Sequence, residues 1–87
     1  MEVENIIQTC CACPSQWEGK LKDGRMFYAR YRHGHLTIEL SKGVTDDVYD
    51  AIGENIIYSE TIGGTYDGVL DQSDLVDKME ESGFIFN

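Results

Sequence analysis

The chain is 87 residues long, 41% hydrophobic and 10% aromatic, with a formal net charge of −9. That length suits one domain, which buries only about 60% of its unfolded surface, so a large enzyme cleft is hard to accommodate and a homo-oligomer interface would supply burial that the monomer lacks. No apolar run reaches the ~18–20 residues needed to cross a bilayer, and Glu2 and Glu4 stand where a signal peptide would be basic, so the expected compartment is the cytoplasm, with no membrane partner.

The charge is divided unevenly. Residues 1–43 carry six basic side chains against five acidic ones, or +1, whereas residues 44–87 carry Lys78 against eleven acids, or −10. This balance argues against direct nucleic-acid binding and separates a mildly basic first half from an acidic second half.

Residues 1–13 read as a short amphipathic N-terminal segment ending at Cys13-Pro14. Three strand-like runs follow over residues 14–43: Gln16 to Leu21, Met26 to Arg32 and His35 to Leu40. Asp23-Gly24 and His33-Gly34 supply residues that tolerate positive φ, so the runs form an antiparallel meander. A two-residue His33-Gly34 loop pairs Arg32 with His35 and sets Tyr31, Ala29 and Phe27 opposite Leu36, Ile38 and Leu40, which makes that face the core. A three-residue Lys22-Asp23-Gly24 loop adds Gly19 and Trp17 to the same face, whereas a two-residue loop turns Trp17 toward Arg30 as a ligand platform.

Residues 44–87 read as helix, strand, loop and helix. Thr45 is a suitable N-cap, Asp46 and Asp47 suit the positive helix end, and Val48, Ala51 and Ile52 share a face until Gly53. Asn55 to Glu60 follows as a strand, Ile62 to Gly68 as a loop, and Ser73 to Ser82 as a second helix with Leu75, Val76 and Met79 inward. Phe84-Ile85-Phe86 is either a short edge strand or a packed tail. The expected fold is an α+β domain spanning residues 1–87: a three-stranded meander extended to four or five antiparallel strands, with two short helices on one face.

The polar face of the meander is the principal candidate site. The register places Tyr28, Arg30, Arg32, His35, Thr37, Glu39, Lys20 and Glu18 there. Two arginines, a tyrosine and a histidine can grip phosphate or carboxylate through forked hydrogen bonds and stack a planar base, a chemistry suited to nucleotides. Tyr28, Arg30, Arg32, His35 and Lys20 are the candidate ligand-binding residues, with Trp17 included under the alternative register. The same residues could instead form ordinary cross-strand pairs on a solvated sheet.

Other motifs lead elsewhere. Cys10-x-x-Cys13 with His33 and His35 offers four metal ligands, but Pro14 follows directly and His33 lies in the turn, so neither a metal nor another cofactor is expected. The stretch Asp67 to Leu75 imitates half of an EF-hand loop, yet Gly63 and Thr65 occupy its first ligand positions. A phosphate loop of standard spacing and a nucleophile elbow are both missing from the sequence, which points to a binding protein rather than an enzyme.

Cys13-Pro14-Ser15-Gln16-Trp17-Glu18-Gly19, then Asp23-Gly24-Arg25, Tyr28 and Arg30-Tyr31-Arg32-x-Gly34-x-Leu36, together resemble a family of small, largely uncharacterised proteins of bacterial genomes and their phages. The resemblance covers the meander and, more loosely, the last turn and helix. It implies a fold and a phage or mobile-element setting, without an activity. In that setting two partners suit the sequence. One is a nucleotide-like small molecule, an immune signal sequestered on the Tyr28, Arg30, Arg32 face. The other is a host defence protein, blocked by acids that imitate nucleic-acid phosphates.

Overall fold

In the computed structural model, residues 1–11, 14–47, 51–53, 55–63 and 69–86 are described. Alternation of side chains builds its centre. Strands β2 (Ser15–Leu21), β3 (Met26–Arg32) and β4 (His35–Leu40) each bury every second residue, so one face of the meander is enclosed while the other stays partly open. The Lys22-Asp23-Gly24 loop has three residues, with Gly24 at φ +96°. Trp17 therefore lies opposite Ala29, and Gly19 opposite Phe27. In the second hairpin His33 and Gly34 both take positive φ, at 54° and 75°, which matches the right-handed twist of the flanking strands. Its register is the expected one: Arg32 with His35, Tyr31 with Leu36, Ala29 with Ile38 and Phe27 with Leu40.

Two further strands widen the meander into a five-stranded antiparallel sheet in sequence order: β1 (Val3–Cys11) beside β2, and β5 (Ile56–Thr61) beside β4. The one helix among the described residues, α1 (Gln72–Glu81), covers the enclosed face with Leu75 and Met79, both fully buried. Its end turns through Gly83, at φ +100°, and the Phe84 N–H reaches the Met79 carbonyl at 3.0 Å, the pattern that closes a helix on a left-handed residue. Phe84 then packs its ring 5.8 Å from that of Phe27. Ile85 exchanges backbone hydrogen bonds with Met1 and Val3, so the last residues run parallel to the start of β1. Trp17, Phe27, Tyr31, Leu36, Ile38, Leu75, Met79 and Phe84 form the heart of the core.

This architecture corrects the expected α+β fold with two helices. The described residues are mostly sheet and hold one short helix. The N-terminal segment is the longest strand. Its alternation is disguised by register shifts between Val3 and Asn5 and between Gln8 and Cys10. Val3, Ile6, Gln8 and Cys11 stand opposite the enclosed-face residues Leu21, Gly19, Trp17 and Ser15, and a spacing of three, two and three imitates an amphipathic turn rather than a strand.

The first expected helix is the other correction. Residues 48–50 lie outside the described set, and the described parts on either side, 45–47 and 51–53, form bends and turns. Thr45 accepts the Asp47 N–H at 3.1 Å, a local turn bond that such a side chain makes equally well without a helix behind it. The segment is tied down instead: Thr45 N–H to the Gly24 carbonyl, Lys20 to Asp46, and the Gly53 N–H to Glu39 at 3.2 Å. Lys20 and Glu39 belong to the face opposite α1, so this connector and α1 do not share a face. The expected loop over 62–68 lies outside the described residues from 64 onward, as do residues 67 and 68 of the EF-like stretch.

Candidate functional site

The face opposite α1 is built in rows across the strands. Arg30 sits beside Thr37, which sits beside Ser59; the next row holds Arg32, His35 and Thr61. Because residues two apart on one strand share a face, the Arg30 and Arg32 stems rise side by side about 6.7 Å apart. At the far end of this face the connector is anchored through Lys20 and Glu39. At the near end Arg30, Arg32, His33, His35 and Thr37 line a cavity of about 220 Å³.

Arg30 is the unusual member. It makes no hydrogen bond or ion pair with any described residue, and its Nε is enclosed without a partner. Burying a guanidinium nitrogen with nothing to receive its hydrogen is costly, and sixteen acidic residues in the chain could have relieved it. Arg32 also lacks a carboxylate partner among the described residues. Its Nε donates to His33 Nε2 at 3.1 Å, which ties the guanidinium to the hairpin turn at the cavity. His33 is held there by the turn, as the sole non-glycine residue with positive φ among those described.

His35 is fixed from the neighbouring strand. Its Nδ1 lies 2.9 Å from Thr61 Oγ1 and its Nε2 lies 2.6 Å from Ser59 Oγ, so both ring nitrogens are engaged by β5 hydroxyls. Tyr28, two residues before Arg30 on the same face, is half-buried. Burial pushes its phenol above the usual range; nearby Glu39 and Cys10 act in the same direction, while Arg30 and a hydrogen bond with Gln16 oppose it. The hydroxyl therefore stays neutral, an apolar ring with a polar tip on the same face as Arg30.

The structure thus brings Arg30, Arg32 and His35 together at the cavity, places Tyr28 on the same face outside its lining, and separates two other candidates from them. Lys20 is occupied by Asp46, which raises the lysine pKa chiefly through their hydrogen bond and lowers that of the aspartate. Trp17 is completely buried on the α1 side of the sheet, which corrects its place among the ligand-binding candidates: the three-residue loop sets its face. Of the metal candidates, Cys13 lies outside the described residues, Cys10 stands opposite Gln16 on β1, and His33 and His35 are at the hairpin. No three His, Cys, Asp or Glu side chains among the described residues gather as metal ligands would. Ser59 and Thr61 were missed as site residues, because a long connection precedes β5 and no tight hairpin sets its register against β4.

The fold and site define a class: a five-stranded antiparallel sheet with a helix on one face and a small cationic pocket on the other. No family model matches the chain, and no curated protein or solved structure matches it. No helix among the described residues is long and apolar enough to cross a membrane.

Proposed function

We propose that the chain is a non-enzymatic binding protein of a phage or mobile element. It sequesters a small nucleotide-derived signalling molecule in the Arg30, Arg32, His35 pocket and thereby blunts a host defence response. One observation carries this reading: Arg30 is half-buried, lines the cavity and has no partner for its enclosed Nε. A purely solvated sheet face would be expected to pair such a group with one of its acidic neighbours, as Lys20, Lys22, Arg25 and Lys78 are paired. An anionic ligand in the cavity would compensate the Arg30 charge through its terminal guanidinium nitrogens, by forked, charge-assisted hydrogen bonds.

Native mass spectrometry of the protein purified from its host context tests the reading. The account expects a nucleotide-sized mass that is released on denaturation and lost from the Arg30→Ala, Arg32→Ala double variant. A bare chain from the wild type would count against it.

A second reading has its own support. Asp71, Asp74, Asp77, Glu80 and Glu81 are all exposed on or beside α1, an acidic surface that could imitate nucleic-acid phosphates toward a defence protein. Lysine substitutions across α1 would abolish that activity and leave ligand capture intact; the arginine substitutions would do the reverse.

A further inference from the structure

If the binding reading above holds, the charges, donors and space of the pocket define a ligand narrower than nucleotides in general. Arg30 and Arg32 bring two guanidinium charges that no carboxylate of the described residues neutralises. A phosphate monoester near neutral pH carries about −1.5 to −2 and three free oxygens, whereas a diester carries one charge and two free oxygens. Two unpaired cations therefore balance a monoester and leave one guanidinium uncompensated over a diester, inside a partly enclosed site where such a mismatch is expensive.

The donors agree with that count. Arg30 offers its two terminal nitrogens, since its Nε is enclosed out of a ligand's reach. Arg32 offers its terminal nitrogens, since its Nε is committed to His33. Thr37, directly opposite Arg30, adds a hydroxyl from the adjacent strand. The His35 ring is held against Ser59 and Thr61, so it closes the β5 side of the cavity instead of swinging into it. Donors thus approach from two strands, an arrangement that suits a terminal group open on three sides better than a phosphate bridged on both.

Space and long-range field are consistent with a small phosphate ligand. A cavity of about 220 Å³ has room for one phosphate and the first part of its ester, and the rest of a larger ligand would lie outside it. The net charge of −9 repels polyanions at a distance, so a nucleic-acid backbone is disfavoured before it reaches the two arginines.

We propose that this pocket binds a single terminal phosphate monoester as its dianion, one per chain, and discriminates against phosphodiesters. Titration calorimetry of the full chain with AMP, 3′,5′-cyclic AMP and inorganic phosphate tests it. The expected result is one AMP per chain, binding at least about tenfold tighter than cyclic AMP, with inorganic phosphate competing for the same site. Arg30→Gln keeps a donor but removes one charge, and it should bring AMP down to the affinity of cyclic AMP. Cyclic AMP binding as tightly as AMP would overturn the monoester assignment while leaving a nucleotide-binding pocket in place. No heat from any of the three at millimolar ligand would overturn the pocket reading as well.

Discussion

Replacing Gly19 by alanine tests the packing that fixes both faces of the sheet. A Cβ at this position would stand 2.2 Å from the Asn5 carbonyl oxygen and 2.4 and 2.5 Å from Phe27 Cζ and Cε2. None of the three can yield cheaply. The carbonyl belongs to the β1 backbone, and the Phe27 ring is fully buried against Phe84. Overpacking of this kind costs about 1–3 kcal/mol, and the backbone clash places Gly19→Ala at the upper end. Alanine restricts the unfolded chain and restores about 0.5–1 kcal/mol in a strand, which leaves a net loss near 2 kcal/mol. At about 4–8 °C per kcal/mol for a domain of this size, the midpoint of thermal unfolding should fall by roughly 8–16 °C. Circular dichroism melts of the two proteins measure it. A variant melting within about 2 °C of the parent would show that Phe27 does not lie over Gly19, and with it would go the β1–β2–β3 register that turns Arg30 to the opposite face.

Three other outcomes follow from the same geometry. Arg30→Met keeps the apolar stem and removes a buried, unpartnered nitrogen whose desolvation costs about 1–3 kcal/mol, so the variant should melt several degrees higher while losing ligand; a lower melting point would mean that Arg30 has a structural partner. Trp17→Ala should cost about 3–5 kcal/mol, a large share of the roughly 5–15 kcal/mol that holds a domain together, and a variant that stays folded but binds less would restore Trp17 to the ligand face. The folded state holds the Tyr28 phenol above its ordinary value, so its contribution is complete below about pH 10 and is lost as pH rises through the raised folded value. Absorbance titration at alkaline pH, compared between wild type and Tyr28→Phe, should show this phenol ionising later than free tyrosine; ionisation at or below the free value would contradict its burial.

The parts of the fold legible in the sequence are those governed by local turns. His33-Gly34 determines a loop length and so the register that places Tyr28, Arg30, Arg32 and His35 on one face, whereas Asp23-Gly24 allows two or three loop residues, and the structure's three-residue loop sets Trp17 on the other face. Elements whose signals are interrupted or non-local are harder to read. The bulges in β1 convert a period of two into an irregular spacing, and a strand then looks like an amphipathic turn. Thr45, Asp46 and Asp47 carry helix-start chemistry, yet their bonds go to Gly24, Lys20 and a local turn, so tertiary ties override propensity.

The site divides in the same way. Its residue types and shared face follow from alternation within β3 and β4. Its boundary does not: Lys20 is withdrawn by Asp46, far along the chain, while Ser59 and Thr61 arrive through the pairing of β5 with β4. The partnerless state of Arg30 was also invisible, because sequence shows which acids exist and not which of them can reach.

The most direct test of the central claim, that the uncovered end of the sheet captures a small anion, follows the side-chain Nε signals of Arg30 and Arg32 by nuclear magnetic resonance as inorganic phosphate is added. The account predicts that both signals shift together and saturate, with the Thr37 and His35 amides moving alongside and the α1 amides staying still. Signals that remain unmoved at millimolar phosphate, or shifts confined to α1, would contradict it.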